Sequence, residues 1–138
     1  MPETSLPVEH LFTLTATTAA SGLVPNGPNG TRVIVNAFPA SFEGPKLKGT
    51  VKAPGWDWVT ARADGSLGLD VRLLLETEDG GIIYMAYKGV GVDGGKKLWT
   101  APLFETGDER YAWLNNVQAV ATGGTIEGGV QYEVYQLL

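Results

Sequence analysis

The chain of 138 residues and 14.7 kDa is 43% apolar and 18% charged, which supports one hydrophobic core and leaves little material for a second. Its net charge of −5 comes with lysines scattered as Lys46, Lys48, Lys52 and Lys96, Lys97, so it offers neither a basic stripe for nucleic acid nor a basic amphipathic face for a membrane. Cysteine is absent, which excludes disulfides, thiolate nucleophiles and iron–sulfur ligation; a soluble, cytoplasmic, single-domain protein is expected.

Residues 1–7 hold two prolines and little apolar surface and are expected as a flexible tail, leaving 8–138 as the domain. Residues 11–20 imitate the apolar core of a signal peptide, but Glu3, Glu9 and His10 precede them where a basic region belongs, and four of the ten are threonine. They read as a strand instead. Strands are predicted over residues 10–17, 31–38, 46–53, 57–62, 66–77, 81–89, 116–122 and 129–137, each bounded by glycine- or proline-rich breaks. Asp64-Gly65 and Asp79-Gly80 supply the positive φ angles of tight turns, so residues 57–77 form a hairpin that continues into 81–89. Thr106-Gly107-Asp108-Glu109 has capping-box spacing and opens one short helical turn over residues 107–115. About eight short strands around one core make a sandwich or a barrel. Closure removes exposed edges, so we expect an all-β, antiparallel, up-and-down barrel.

Few motifs carry chemistry. Gly89-Val90-Gly91-Val92-Asp93-Gly94 matches the dinucleotide fingerprint in letters, but Gly95-Lys96-Lys97-Leu98-Trp99-Thr100-Ala101-Pro102 supplies no helix to hold a pyrophosphate. It reads as a loop. His10 is the single histidine and lies by the tail, so neither a nitrogen-ligated metal nor a Ser-His-Asp triad has local support; no metal and no cofactor are expected.

Alternation along residues 66–77 sets Leu67, Leu69, Val71, Leu73 and Leu75 on one face and Gly68, Asp70, Arg72, Leu74 and Glu76 on the other. Two arrangements follow. Either the leucines fill the core and the charges meet solvent, or Asp70 and Arg72 line a polar cavity while the leucines pack against another subunit. Asp57, between Trp56 and Trp58, is a candidate acid or base if the indoles bury it and raise its pKa; otherwise it is a turn residue. Tyr84, Tyr87, Tyr111 and Trp113 could wall a pocket for a small organic ligand or belong to the core.

Several runs resemble a bacterial and fungal family catalogued as domain of unknown function 3237. They are Phe42-Glu43-Gly44-Pro45-Lys46-Leu47-Lys48-Gly49-Thr50-Val51, Gly55-Trp56-Asp57-Trp58, Ala63-Asp64-Gly65, Leu69-Asp70-Val71-Arg72, Thr77-Glu78-Asp79-Gly80, Phe104-Glu105-Thr106 and Tyr111-Ala112-Trp113-Leu114-Asn115. Phe38-Pro39-Ala40-Ser41 stands where the family pattern has paired glycines, which alters one mouth of the barrel. The resemblance implies a lipocalin-like barrel of the allene oxide cyclase type and no settled activity. It favours the cavity-lining arrangement, because the match falls on Asp70 and Arg72 themselves.

The leading expectation is a cofactor-free lyase, isomerase or cyclase acting on a small, partly hydrophobic molecule inside the barrel. Asp57 or Asp70 would move the proton and Arg72 would hold a carboxylate or enolate, while Trp58, Tyr84, Tyr87, Tyr111, Trp113 and Asn115 would line the ligand. A non-catalytic carrier and an assembly protein with a filled barrel are the alternatives. The leucine face and the four tryptophans also predict a homo-oligomer, dimer or higher.

Overall fold

The computed structural model describes residues 2–138; the first residue of the expected tail lies outside them. Twelve strands form one antiparallel sheet: β1 Val8–Thr17, β2 Ala19–Gly27, β3 Gly30–Asn36, β4 Ala40–Glu43, β5 Lys48–Val51, β6 Trp56–Ala61, β7 Leu67–Thr77, β8 Ile82–Val92, β9 Lys97–Thr100, β10 Leu103–Glu105, β11 Ala119–Ile126 and β12 Gly129–Leu137. Eight of them close a ring in the order β8-β9-β11-β12-β1-β4-β5-β7, with β7 returning to β8. The ring is the barrel.

Long β7 belongs to two neighbours on one side. Its C-terminal end pairs with β5, from Gly49↔Thr77 to Val51↔Leu75, and its N-terminal half pairs with β6, from Trp56↔Arg72 to Ala61↔Leu67. β6 in turn carries β3 and the edge strand β2, so one end of the barrel wall is extended beyond the ring.

Both Asp-Gly turns form, with φ of +89° at Gly65 and at Gly80. Four strands are additional to the eight anticipated: β2, β4, β9 and β10. Their sequences are short or interrupted by Gly22 and Pro25; β2 is extended as a hairpin with β3, and β4, β9 and β10 by pairing within the sheet with β1 and β5, β8 and β11, and β8. Gly89 and Gly91 of the false fingerprint lie within β8, which runs on to Val92, and Gly94 follows in a 3-10 turn over Asp93–Gly95, so the stretch expected as a loop is mostly strand. A Cβ on Gly89 would sit 2.3 Å from the Trp99 carbonyl oxygen, so glycine lets β9 approach.

The helical turn is a 3-10 helix over Glu109–Asn116, capped by Asp108, whose side chain accepts from the Arg110 N–H at 2.9 Å. Thr106, expected as the cap, instead donates to the Ile82 carbonyl at 2.6 Å and accepts from the Asp108 N–H. The helix plugs one end of the barrel. Leu114 is fully buried there and belongs to the same core as Phe12, whose ring meets Phe42 and Phe104 at 5.4 and 6.1 Å, and a Cβ on Gly81 would lie 2.7 Å from the Tyr111 ring.

Leu69, Val71, Leu73 and Leu75 all point into the barrel and are buried. This corrects the expectation that they form an outer subunit-pairing face. An apolar strand face is worth roughly 1.5–3 kcal/mol per large side chain once inside, and sending Asp70 and Arg72 inward in its place would cost several.

Candidate active site

The plugged end leaves the opposite half of the barrel for a site. Asp57 on β6 is cross-strand partner to Val35 on β3 and to Val71 on β7, and residues paired this way share a face. All three face inward. With Leu14, Ala16, Thr18, Ala37, Leu73, Tyr87, Val130 and Tyr132 they line a narrow cavity of about 30 Å³, room for about two waters. The wider grooves elsewhere are open surface features.

Within the cavity the polar groups are few and close together. One Asp57 carboxylate oxygen accepts the Asp70 backbone N–H at 3.1 Å. Burial pushes the Asp57 pKa up to about 6, the Asp70 N–H opposes that rise, and the Asp70 charge adds to it. Tyr87 and Tyr132 meet edge to face with centroids 5.7 Å apart. Burial first, then neighbouring groups including Asp57, hold both phenols above the usual tyrosine range, so both are neutral donors. Gly123 makes room for this arrangement, because a Cβ there would lie 2.5 Å from the Tyr132 ring. Outside the cavity lining, Thr100 on β9, cross-strand to Gly89 and Ala121, buries a hydroxyl that has no hydrogen-bond partner among the described residues.

A protonatable carboxyl at the edge of neutrality beside neutral phenols can give or take a proton and bind an oxygen atom of a guest. No lysine, arginine or histidine lines the cavity. Among the described residues no group of three or more metal-ligating side chains gathers.

Of the residues expected at the site, Asp57 and Tyr87 come together. Asp70 and Arg72 do not line the cavity: Arg72 is exposed and Asp70 half-buried on the outer face of β7, cross-strand to Ala86 and Lys88. Asp70 still touches the site through its backbone N–H. Trp58 and Tyr84 also lie outside, 44% and 37% exposed. Trp56 faces the same way, so the burial of Asp57 comes from aliphatic and tyrosine side chains and owes nothing to the flanking indoles.

Tyr111, Trp113 and Asn115 belong to the plug at the other end. The Tyr111 hydroxyl donates to Asp79 at 2.7 Å, Lys46 stands over the Trp113 ring at 5.2 Å, and the Asn115 amide brackets Thr106 at 2.8 and 3.0 Å. They stand apart from the Asp57 cavity, whose lining includes none of them. His10 sits at the surface on β1, 2.6 Å from a Glu133 carboxylate oxygen. Tyr132 was missed in the sequence. The signal was there in the alternation Val130, Tyr132, Val134 along the last strand, with the glycine pair Gly123-Gly124 on the strand before it.

Comparison with known proteins agrees with this architecture. A UPF0311 protein of Bradyrhizobium diazoefficiens is 28% identical, with 97% of this chain and 98% of its own length aligned. The hydroalkoxylation enzyme phnH of Penicillium herquei is 37% identical over 79 residues, 57% of this chain and 48% of that protein. Among solved structures, a conserved Rhodopseudomonas palustris protein of unknown function superposes with a TM-score of 0.89 at 25% identity, covering 99% of this chain and all of that one. An enzyme from Penicillium herquei gives 0.80, also at 25% identity, over 100% and 98%. The family model for proteins of unknown function DUF3237 matches residues 6–137. From the strand ring to the words of the sequence, the chain belongs to the DUF3237 family.

Proposed function

We propose that the protein is an enzyme of the cyclase, isomerase or lyase kind that moves a proton at Asp57 on a small and mostly apolar molecule, which must part the side chains of a cavity that otherwise holds about two waters. The observation that carries the reading is Asp57, a half-buried carboxyl facing into an apolar barrel with its pKa near 6 and two neutral phenols beside it. Such a group is protonated in mild acid and ionised in mild base, so it serves as donor or acceptor near neutrality. Tyr87 and Tyr132 hold the oxygen at which charge develops.

The kinship with a hydroalkoxylation enzyme fits this chemistry. In adding an alcohol across an alkene, the oxygen bonds to one carbon, the π bond breaks, and a proton reaches the other carbon while the hydroxyl proton leaves. The sum is a proton relocation without gain or loss of electrons. Asp57 can serve that relocation alone.

The test is turnover of a panel of unsaturated alcohols and enolisable ketones in D₂O, followed by ring closure and deuterium incorporation. Asp57→Asn keeps the shape and should lower the rate by about 10²–10⁴-fold, with a wild-type pH profile that bends near the pKa of about 6. Turnover that survives Asp57→Asn overturns the assignment. Binding without turnover by any of the panel would make the barrel a carrier.

A further inference from the structure

We infer that Arg32 is a positioning residue for Asp57: by donating to the Trp58 carbonyl it releases the Asp70 N–H from the sheet ladder to hold the Asp57 carboxyl. The inference rests on Asp57 being the working group and adds what fixes that group in place. It is carried by a lapse in the pairing of β6 with β7.

The two strands pair at Trp56↔Arg72 and Asp57↔Val71, and again at Thr60↔Gly68 and Ala61↔Leu67. Between these pairs the ladder lapses at Trp58 and Val59, and the register is the same on either side, so no residue is inserted. In a continuous antiparallel ladder of this register the Asp70 N–H donates to the Trp58 carbonyl. Here both groups have other partners. The Asp70 N–H donates to an Asp57 carboxylate oxygen at 3.1 Å, and the Trp58 carbonyl accepts from Arg32 Nη1, also at 3.1 Å. One sheet bond is exchanged for two side-chain bonds, one on each face of β6.

Strand β3 places Arg32 for this. Its cross-strand partner is Thr60, and that of Ile34 is Trp58, so alternation sets Arg32, Ile34 and Trp58 on the outer face while Val35 and Asp57 turn inward. A guanidinium carries five N–H donors and stays charged wherever Asp57 titrates, so it holds the carbonyl across that whole range. Without it the Trp58 carbonyl competes with the Asp57 carboxylate for the Asp70 N–H. That competition bears on the chemistry, because the Asp70 N–H opposes the rise in the Asp57 pKa that burial causes. The other titratable groups near Asp57 are Tyr87 from β8, Tyr132 from β12 and, through the sheet, the Asp70 carboxylate on β7; β1 and β3 bring only uncharged side chains to the cavity.

The test needs no substrate. In the full chain labelled with ¹³C and ¹⁵N, the Asp57 carboxyl carbon and the Asp70 amide should titrate together, with a midpoint of about 6. Arg32→Met should raise that midpoint by about 0.4–1 pH unit, the share of one hydrogen bond, and shrink the swing of the Asp70 amide shift. Arg62→Met controls for the loss of charge alone: the Arg62 guanidinium lies beside Gly68 on the same outer face, where a Cβ would meet it at 3.1 Å, and its removal should leave both signals in place. A wild-type Asp70 amide that ignores the Asp57 titration, a midpoint unmoved in Arg32→Met, or an equal rise in Arg32→Met and Arg62→Met would each overturn the inference. Its failure is separable from that of the catalytic reading. Turnover that survives Asp57→Asn strikes the catalysis and leaves these titrations as they are, whereas titrations indifferent to Arg32→Met strike Arg32 and leave the catalysis.

Discussion

At the scale of single residues, Asp57 shows how a sequence can name the right group for the wrong reason. Its position between two tryptophans suggests burial by the indoles, yet alternation sends Trp56 and Trp58 outward, 36% and 44% exposed, and Asp57 alone into the barrel. The strand's period was legible; the identity of the inner wall was not, because Val35, Tyr87 and Tyr132 arrive from strands far away in the chain. A stability consequence follows from the folded pKa of about 6 against an ordinary 3.8. Between those values the folded protein holds a proton that the unfolded chain releases, so stability from this group is full below about pH 4 and falls as pH rises to 6. Asp57→Asn removes the penalty while its amide oxygen can still accept the Asp70 N–H. We expect the variant to exceed the wild type by about 1–3 kcal/mol at about pH 8 and to match it near pH 4. Urea unfolding of both proteins across that range measures it. A variant that is no more stable at the higher pH would show that the carboxyl is not held in an apolar setting.

At the scale of elements, β7 is legible in its limits and ambiguous in its faces. Its limits and both of its Asp-Gly turns followed from local signals, and alternation alone assigned its leucines to the core. The family resemblance pulled the other way, and the burial of Leu69, Val71, Leu73 and Leu75 decides against it. The missing strands have a different cause. β2 lacks a β-branched run and is extended as the first arm of a tight hairpin with β3 across Pro28-Asn29, from Ala19↔Asn36 to Gly27↔Gly30, so the Pro25–Gly30 stretch is a strand end and a turn where only a break is legible; β4 is extended because β1 offers it an edge, as in Ala16↔Ala40, and that pairing leaves no local mark. Adjacent substitutions on β7 check the face assignment within two residues. Glu76→Gln should change stability by no more than about 1 kcal/mol, because its ion pair with Lys52 is exposed, while Leu75→Ala should cost about 2–5 kcal/mol through a cavity in the core. Comparable losses at both positions, read by thermal or urea unfolding, would mean that the outer face is itself packed.

At the scale of the whole molecule, ring closure depends on β1 meeting β12, from Val8↔Leu137 to Thr17↔Gly129, a contact between the two ends of the domain that no local pattern encodes. Closure also settles which apolar groups stay outside. Trp56, Trp58, Tyr84, Val90, Trp99 and Leu103 are 36–55% exposed, and the cross-strand pairs Trp58 with Ile34, Trp56 with Arg72, Arg72 with Ala86, Ala86 with Leu103, and Val90 with Trp99 join them into one outer wall. Asp70 and Arg72 stand in this wall, and neither belongs to an ion pair in the described residues. We expect the wall to cover a second copy of the chain. A two-fold axis across β7 reverses the strand direction between copies and so brings Arg72 of each opposite Asp70 of the other, which makes the surface self-complementary in charge as an isologous dimer requires. Light scattering should then give twice 14.7 kDa at micromolar concentration. Arg72→Asp, which sets like charges together, should shift the protein to monomer, and the charge-reversed pair Asp70→Arg with Arg72→Asp should restore the dimer. The rescue separates this geometry from nonspecific adhesion of tryptophans, which would ignore the exchange. A monomeric wild type, or a dimer indifferent to Arg72→Asp, would leave the outer wall without the partner its charges describe.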